Sequence, residues 1–161
     1  MKIEVKVDSE RVIQAFQQAP RVVAANLRVG LDKAAMTMVT AARDELRAND
    51  SVSMSTLLQS IAFTSVGTYE REVSPNTDYA VYLEKGTAAG YYPPTYAIAS
   101  WLRTRGGVEA SVFRIKRHIF KHGTKAHPFW EPAFAKAEQT MVDIVAKYVE
   151  RGVERAFGGG A

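Results

Sequence analysis

The chain has 161 residues, 47% of them hydrophobic and 24% charged, which is the composition of a globular domain and excludes a disordered tail or a fibre. It contains no cysteine, so disulfide staples and thiol chemistry are excluded, and a chain of this length supports a core without them. The net charge of +4 is unevenly spread: residues 1–100 sum to −1 and residues 101–161 to +5. No run approaches the roughly 18 apolar residues of a membrane span, and the opening Met1–Val7 alternates in polarity unlike a signal peptide, so a soluble protein made in the cytoplasm is expected.

Ile3, Val5 and Val7 alternate with charged residues, the period of a half-buried strand. From Val12 to Leu46 the apolar positions recur at helical spacing. Pro20 lacks an N–H, so the pattern predicts a short helix to about Ala19 and a longer one from Arg21 to Ala48, with Gly30 a weaker interruption. A loop follows at Asn49–Ser53, then a short helical turn through Leu57 and Leu58. Ile61–Val66 and Tyr69–Val73, separated by Gly67-Thr68, read as a hairpin. Periodicity leaves Tyr79–Glu84 open between helix and strand.

Ala88–Pro94 reads as a loop, Thr95 as the cap of a short helix carrying Ile98, Trp101 and Leu102, and Glu109–His122 as a second short helix with Val112, Ile115 and Ile119 on one face. Pro128 suits the first position of a last long helix that runs to Phe157. The expected fold class is α+β, a small and mostly antiparallel sheet packed by two long helices with short inserted ones, in a single domain spanning 1–161.

Few residues point to chemistry. His118 and His122 share a helix face at i, i+4, with His127 or Glu131 as a third ligand, but His118 has no neighbouring glutamate of the zinc-hydrolase kind, and surface histidines are the expected reading. No nucleophile elbow or phosphate-binding glycine pattern occurs, so no catalytic residue, metal ligand or cofactor is assigned and the chain is not expected to be an enzyme. Arg103, Arg105, Arg114, Lys116, Arg117, Lys121 and Lys125 face a single anion, Glu109. That run suits a polyanion, an acidic protein surface or a solvated helix face. Its aromatics Trp101, Phe113 and Phe120 would suit a nucleic-acid surface, but they fall on apolar helix faces and are expected in the core. Tyr91-Tyr92-Pro93-Pro94 forms either a stiff contact surface or a loop folded back on the domain.

Three segments taken together resemble a known family. Tyr79-Ala80-x-Tyr82-Leu83-Glu84-x-Gly86-Thr87, then Pro93-Pro94 ahead of Ile98-x-x-Trp101-Leu102, then Gly123-Thr124 leading through Pro128-Phe129 and Pro132-Ala133 into a long helix, are similar to the phage tail-component family typified by gene product 10 of phage HK97, itself similar to the lambda tail completion protein Z. The opening strand and helix and the step Leu57-Leu58-Gln59-Ser60-Ile61 also resemble that family, with Thr56 where it has glycine. The resemblance implies a structural virion protein, assembled in the bacterial host, that forms a ring, commonly a hexamer, at the neck or head-proximal end of the tail. Its partners would be the tail terminator or tube protein and the head connector or adaptor, with DNA in the channel and no membrane. Tail termination and a basic nucleic-acid-binding module are the alternatives. In such a ring Tyr79, Tyr82, Glu84, Gly86, Thr87, Tyr91, Tyr92, Pro93 and Pro94 are candidate contacts with a neighbouring subunit or layer.

Overall fold

The computed structural model describes residues 9–49, 55–77, 80–104 and 111–158. Among these residues six helices and one hairpin follow in the order α1 (Ser9–Ala48), α2 (Ser55–Ser60), β1 (Ile61–Gly67), β2 (Glu70–Pro75), α3 (Ala80–Lys85), α4 (Thr95–Thr104), α5 (Val112–His122) and α6 (Trp130–Phe157). The class is α+β, with two long helices beside a small antiparallel sheet of two strands. The expected strand at Ile3–Val7 lies outside the described residues, as does the beginning of the helix expected from Glu109.

The chain divides into two compact units. One comprises residues 1–37, 64–72 and 138–161, and the other residues 38–63 and 73–137. In the second unit Met38, Ala42 and Leu46 continue the helical spacing of α1 and are buried with Leu57, Ile61, Leu102, Val112, Phe129, Ala133 and Ala137. Among the described residues the largest fully buried side chains, Phe129, Leu46, Leu57 and Ile61, all belong to it. Arg43 ties its parts together: Nε donates to the Leu58 carbonyl and Nη2 to the Ile61 carbonyl, both at 2.9 Å, so one guanidinium caps the end of α2 and fixes the start of β1. Lys136 on α6 pairs with Glu45 on α1.

In the first unit α1 and α6 run antiparallel and meet at two glycines. A Cβ on Gly30 would lie 2.8 Å from the Tyr148 Cβ, and one on Gly152 would lie 2.9 Å from the Val23 Cα. Each glycine thus gives the opposite helix a close approach that any side chain would block. Buried Asn26 sits beside Gly152; its amide donates to the Val22 carbonyl at 2.9 Å and accepts from Arg155 at 3.3 Å. Arg71 on β2 pairs with Asp32 on α1 at 2.5 Å.

Helix α1 does not break at Pro20 as its sequence predicts; it runs through from Ser9 to Ala48. An interior proline forfeits one backbone hydrogen bond and crowds the preceding turn, at about 3 kcal/mol. Packing is what overrides that cost here. Ala19 immediately before the proline is buried, and buried Asn26, Gly30 and Ala34 continue the same helix beyond it, while the Pro20 ring itself faces solvent. Helix α6 begins two residues later than expected, because Phe129 is inserted into the core of its unit ahead of the first turn and Pro128 is held outside the helix, its carbonyl accepting from Asn49 at 2.8 Å.

Candidate functional site

The segments that carry the resemblance fold against one another in the second unit. The stretch undecided by periodicity is helix α3, and it places Glu84 under the first turn of α6. Glu84 Oε2 accepts the backbone N–H groups of Phe129 and Trp130 at 2.8 and 2.9 Å, and Oε1 accepts that of Glu131 at 3.2 Å. The first N–H groups of a helix have no partner within it and carry the positive end of its dipole, so a carboxylate there supplies both acceptor and charge. The Leu83 carbonyl, left over at the end of α3, accepts from His127 at 2.8 Å.

Both Gly-Thr pairs meet in one antiparallel bridge. Thr87 and Thr124 exchange N–H to carbonyl bonds of 3.1 and 3.0 Å, and their hydroxyls share a third of 3.0 Å. Each preceding glycine has positive φ, 70° at Gly86 and 71° at Gly123. A Cβ on Gly86 would collide with the Thr124 carbonyl oxygen and one on Gly123 with that of Thr87, so both turns require glycine for conformation and for space. Glu84, Gly86 and Thr87, the candidate contacts with a neighbouring subunit or layer, thus make these bonds inside the subunit.

The tyrosines extend this module outward. Tyr79 lies outside the described residues. Tyr82 is exposed and its ring lies 4.9 Å from that of half-buried Tyr91. Burial, followed by the charge and hydrogen bond of Tyr82 and the charge of Tyr96, pushes the Tyr91 phenol above its ordinary value of 10.0. Tyr92 meets Phe120 edge-on at 5.9 Å, and the Gly90 N–H donates to the Phe120 carbonyl at 2.7 Å, docking the loop on α5. Pro93 is buried and Pro94 exposed, so the loop both folds back and presents a surface.

Of the cationic run, Arg103, Arg114, Arg117, Lys121 and Lys125 are exposed, and Arg105 lies outside the described residues. Lys116 departs from the expected basic surface. It is 6% exposed, its ammonium donates to Thr95 Oγ1 at 2.7 Å and stands 4.3 Å from the centre of the Tyr92 ring, so it joins α5 to the start of α4. Burial of the ammonium is offset by that hydrogen bond and by the ring's negative face. Phe113 and Phe120 correct the expectation of core aromatics, being 68% and 47% exposed. Helix α5 buries the face of Val112 and Lys116 and turns both phenylalanines outward. The side chain of Trp101 is not among those described.

The His118 and His122 rings lie 4.6 Å apart, tilted by 42°, and among the described residues no three His, Cys, Asp or Glu side chains gather where they could hold a metal ion. Nor, among them, is any helix long and apolar enough to cross a membrane. Sequence reasoning missed Arg43 and Asn26, whose partners are backbone carbonyls and a distant arginine that leave no local pattern. It also missed Gly152 as the counterpart of Gly30, although a glycine in each long helix was a visible signal. No family model, curated protein or solved structure matches the chain.

Proposed function

We propose that this chain is a structural virion protein of a tailed bacteriophage or prophage, copies of which form a ring at the neck or head-proximal end of the tail and complete the tail or join it to the head. The observation that carries this is the amount of large apolar surface left in solvent. Val29 and Met36 on α1, Val66 and Tyr69 at the hairpin, Val81 on α3 and Val142 on α6 are each 44% exposed or more. Single exposed apolar residues are ordinary, but so many spread over several elements are what a subunit carries when further faces are covered in an assembly.

Two features add support. The residues that resemble the phage tail-component family interlock through Glu84 and the paired Gly-Thr turns, as expected if they are a structural signature of one fold. A head-to-tail ring needs two different complementary patches on each copy, and the chain offers a near-neutral first part and a basic last part. The mechanism is geometric: one patch meets the neighbour, other faces meet the tail end and the connector, and the channel stays open for DNA.

Electron microscopy of a lysate from the parent phage with this gene disrupted tests the proposal. Filled heads beside separate tails, rescued by adding the purified protein, are the expected result. Overlong tails would make the protein a tail terminator instead. Normal infectious particles would remove the structural role.

A further inference from the structure

Helix α5 carries Arg114, Arg117 and Lys121 and no acidic residue, and α4, packed against it, carries Arg103 and again no acid. At 100° per residue, Arg114, Arg117 and Lys121 (i, i+3, i+7) form one stripe along α5. Phe113 and Phe120 (i, i+7) form a second stripe directly beside it. All five side chains are exposed. Seven residues of helix rise about 10 Å, so each stripe is as long as about three nucleotides of a stacked strand at about 3.4 Å each.

The platform behind these stripes is braced. Lys116 is buried between α5 and the start of α4, bonded to Thr95 and covered by the Tyr92 ring, and Tyr92 in turn abuts Phe120. Tyr96, 76% exposed, stands on the first turn of α4. Solvent-facing rings alongside a stripe of cations, with no carboxylate on either helix, are the two components of a surface that holds a nucleic-acid strand: cations track the phosphates and rings stack on unpaired bases. A duplex would use the cations and leave the phenylalanines idle, because its bases are already stacked. An acidic protein surface would satisfy the charges but would bring no bases to stack on the two phenylalanine rings.

We propose that the outer face of α5 binds single-stranded nucleic acid, stacking bases on Phe113 and Phe120 and pairing phosphates with Arg114, Arg117 and Lys121. This stands apart from the ring assembly, since it rests on the exposed face of one helix and on no contact between copies.

Fluorescence anisotropy of a labelled oligothymidine with the full chain, over a range of salt concentrations, tests it against a duplex of the same length. The oligothymidine binds more tightly than the duplex, and log K falls with log salt at a slope of about −2, corresponding to about three phosphates neutralised. Phe113→Ala and Phe120→Ala each weaken single-strand binding about tenfold and leave the slope unchanged. Arg117→Ala with Lys121→Ala flattens the slope by about 1.4. Circular dichroism of every variant checks that the fold is kept; these five side chains are all on the surface, and Arg114→Gln, which keeps the stem, serves as a milder second probe of the charge stripe. Three outcomes overturn the proposal: no binding at low salt, a duplex bound as tightly as the single strand with the phenylalanine variants unaffected, or capture of an acidic protein that the oligonucleotide does not displace.

Discussion

Removing the Glu84 carboxylate tests whether the family-like segment is an internal brace. It accepts three backbone N–H groups at 2.8, 2.9 and 3.2 Å at the start of a 28-residue helix. Hydrogen bonds to a charged acceptor contribute about 1.5 to 3 kcal/mol each when truncated, and the dipole adds about 0.3 to 1 kcal/mol. Water replaces part of this. The Glu131 N–H is exposed and rehydrates, whereas the N–H of Phe129 belongs to a residue only 1% exposed and is left short of a partner. Glu84→Ala therefore costs about 3 kcal/mol, and Glu84→Gln, which keeps an acceptor oxygen and loses the charge, about 1 to 2 kcal/mol. In a domain of this size the alanine variant melts about 6 to 12 °C lower. Urea unfolding of both variants, beside Glu138→Ala on an exposed stretch of α6 as a control expected within about 0.5 kcal/mol, gives the comparison. Amide exchange at Phe129, Trp130 and Glu131 should rise in step. If both Glu84 variants match the wild type within about 0.5 kcal/mol, the capping argument is wrong; if only the glutamine variant does, the charge contributes nothing.

Two of the three positive-φ glycines among the described residues differ in a way calorimetry can separate. Gly123→Ala drives a Cβ into the Thr87 carbonyl and should fail to fold or lose more than about 4 kcal/mol, while Gly90→Ala, at φ 97° with nothing near, should cost only about 1 to 2 kcal/mol. Pro20→Ala restores an interior helix N–H at an exposed position and should stabilise the chain by about 2 kcal/mol in urea unfolding; no gain would mean that α1 is already interrupted there. Tyr91 makes stability pH-dependent in the alkaline range. Its folded value is raised, so its contribution is complete below the ordinary value of 10.0 and is lost as pH climbs through the folded value, because the unfolded chain releases the proton first. Unfolding free energy followed from about pH 9 to about pH 11 should fall more steeply for the wild type than for Tyr91→Phe, and equal slopes would contradict the assignment.

Elements whose determinants are local were legible in the sequence. The apolar spacing of α1 from Ala34 to Leu46, the hairpin from Ile61, and the glycines that stop α5 and shape the turn before Thr87 are each set by residues within a few positions of one another. What escaped depends on partners far along the chain. Glu84 caps a helix that begins some 45 positions later, and a separation of 37 positions hides the pairing of Thr87 with Thr124, so neither role has a sequence pattern of its own. Pro20 was misjudged because local propensity was weighed without the long-range packing of α1 beyond it, where Val23, Asn26 and Gly30 meet α6.

The reversal on α5 has a different cause. The sequence offers two overlapping stripes, Val112-Ile115-Ile119 and Phe113-Phe120, and hydropathy alone favours burying both. A short helix packed on one side has room for one. The β-branched stripe is the one turned inward, with Val112 buried and Ile115 and Ile119 half-buried, and it takes Lys116 with it, because position 116 lies four residues after Val112 and three before Ile119. Thr95 and the Tyr92 ring receive the ammonium, so the buried face closes without an unpaired charge. The geometry that makes a lysine internal is therefore the one that turns both phenylalanines outward beside Arg114, Arg117 and Lys121. A Lys116→Met variant separates the two effects: it should keep α5 packed and leave the exposed stripe intact, with any loss of order confined to Tyr92 and the loop it anchors.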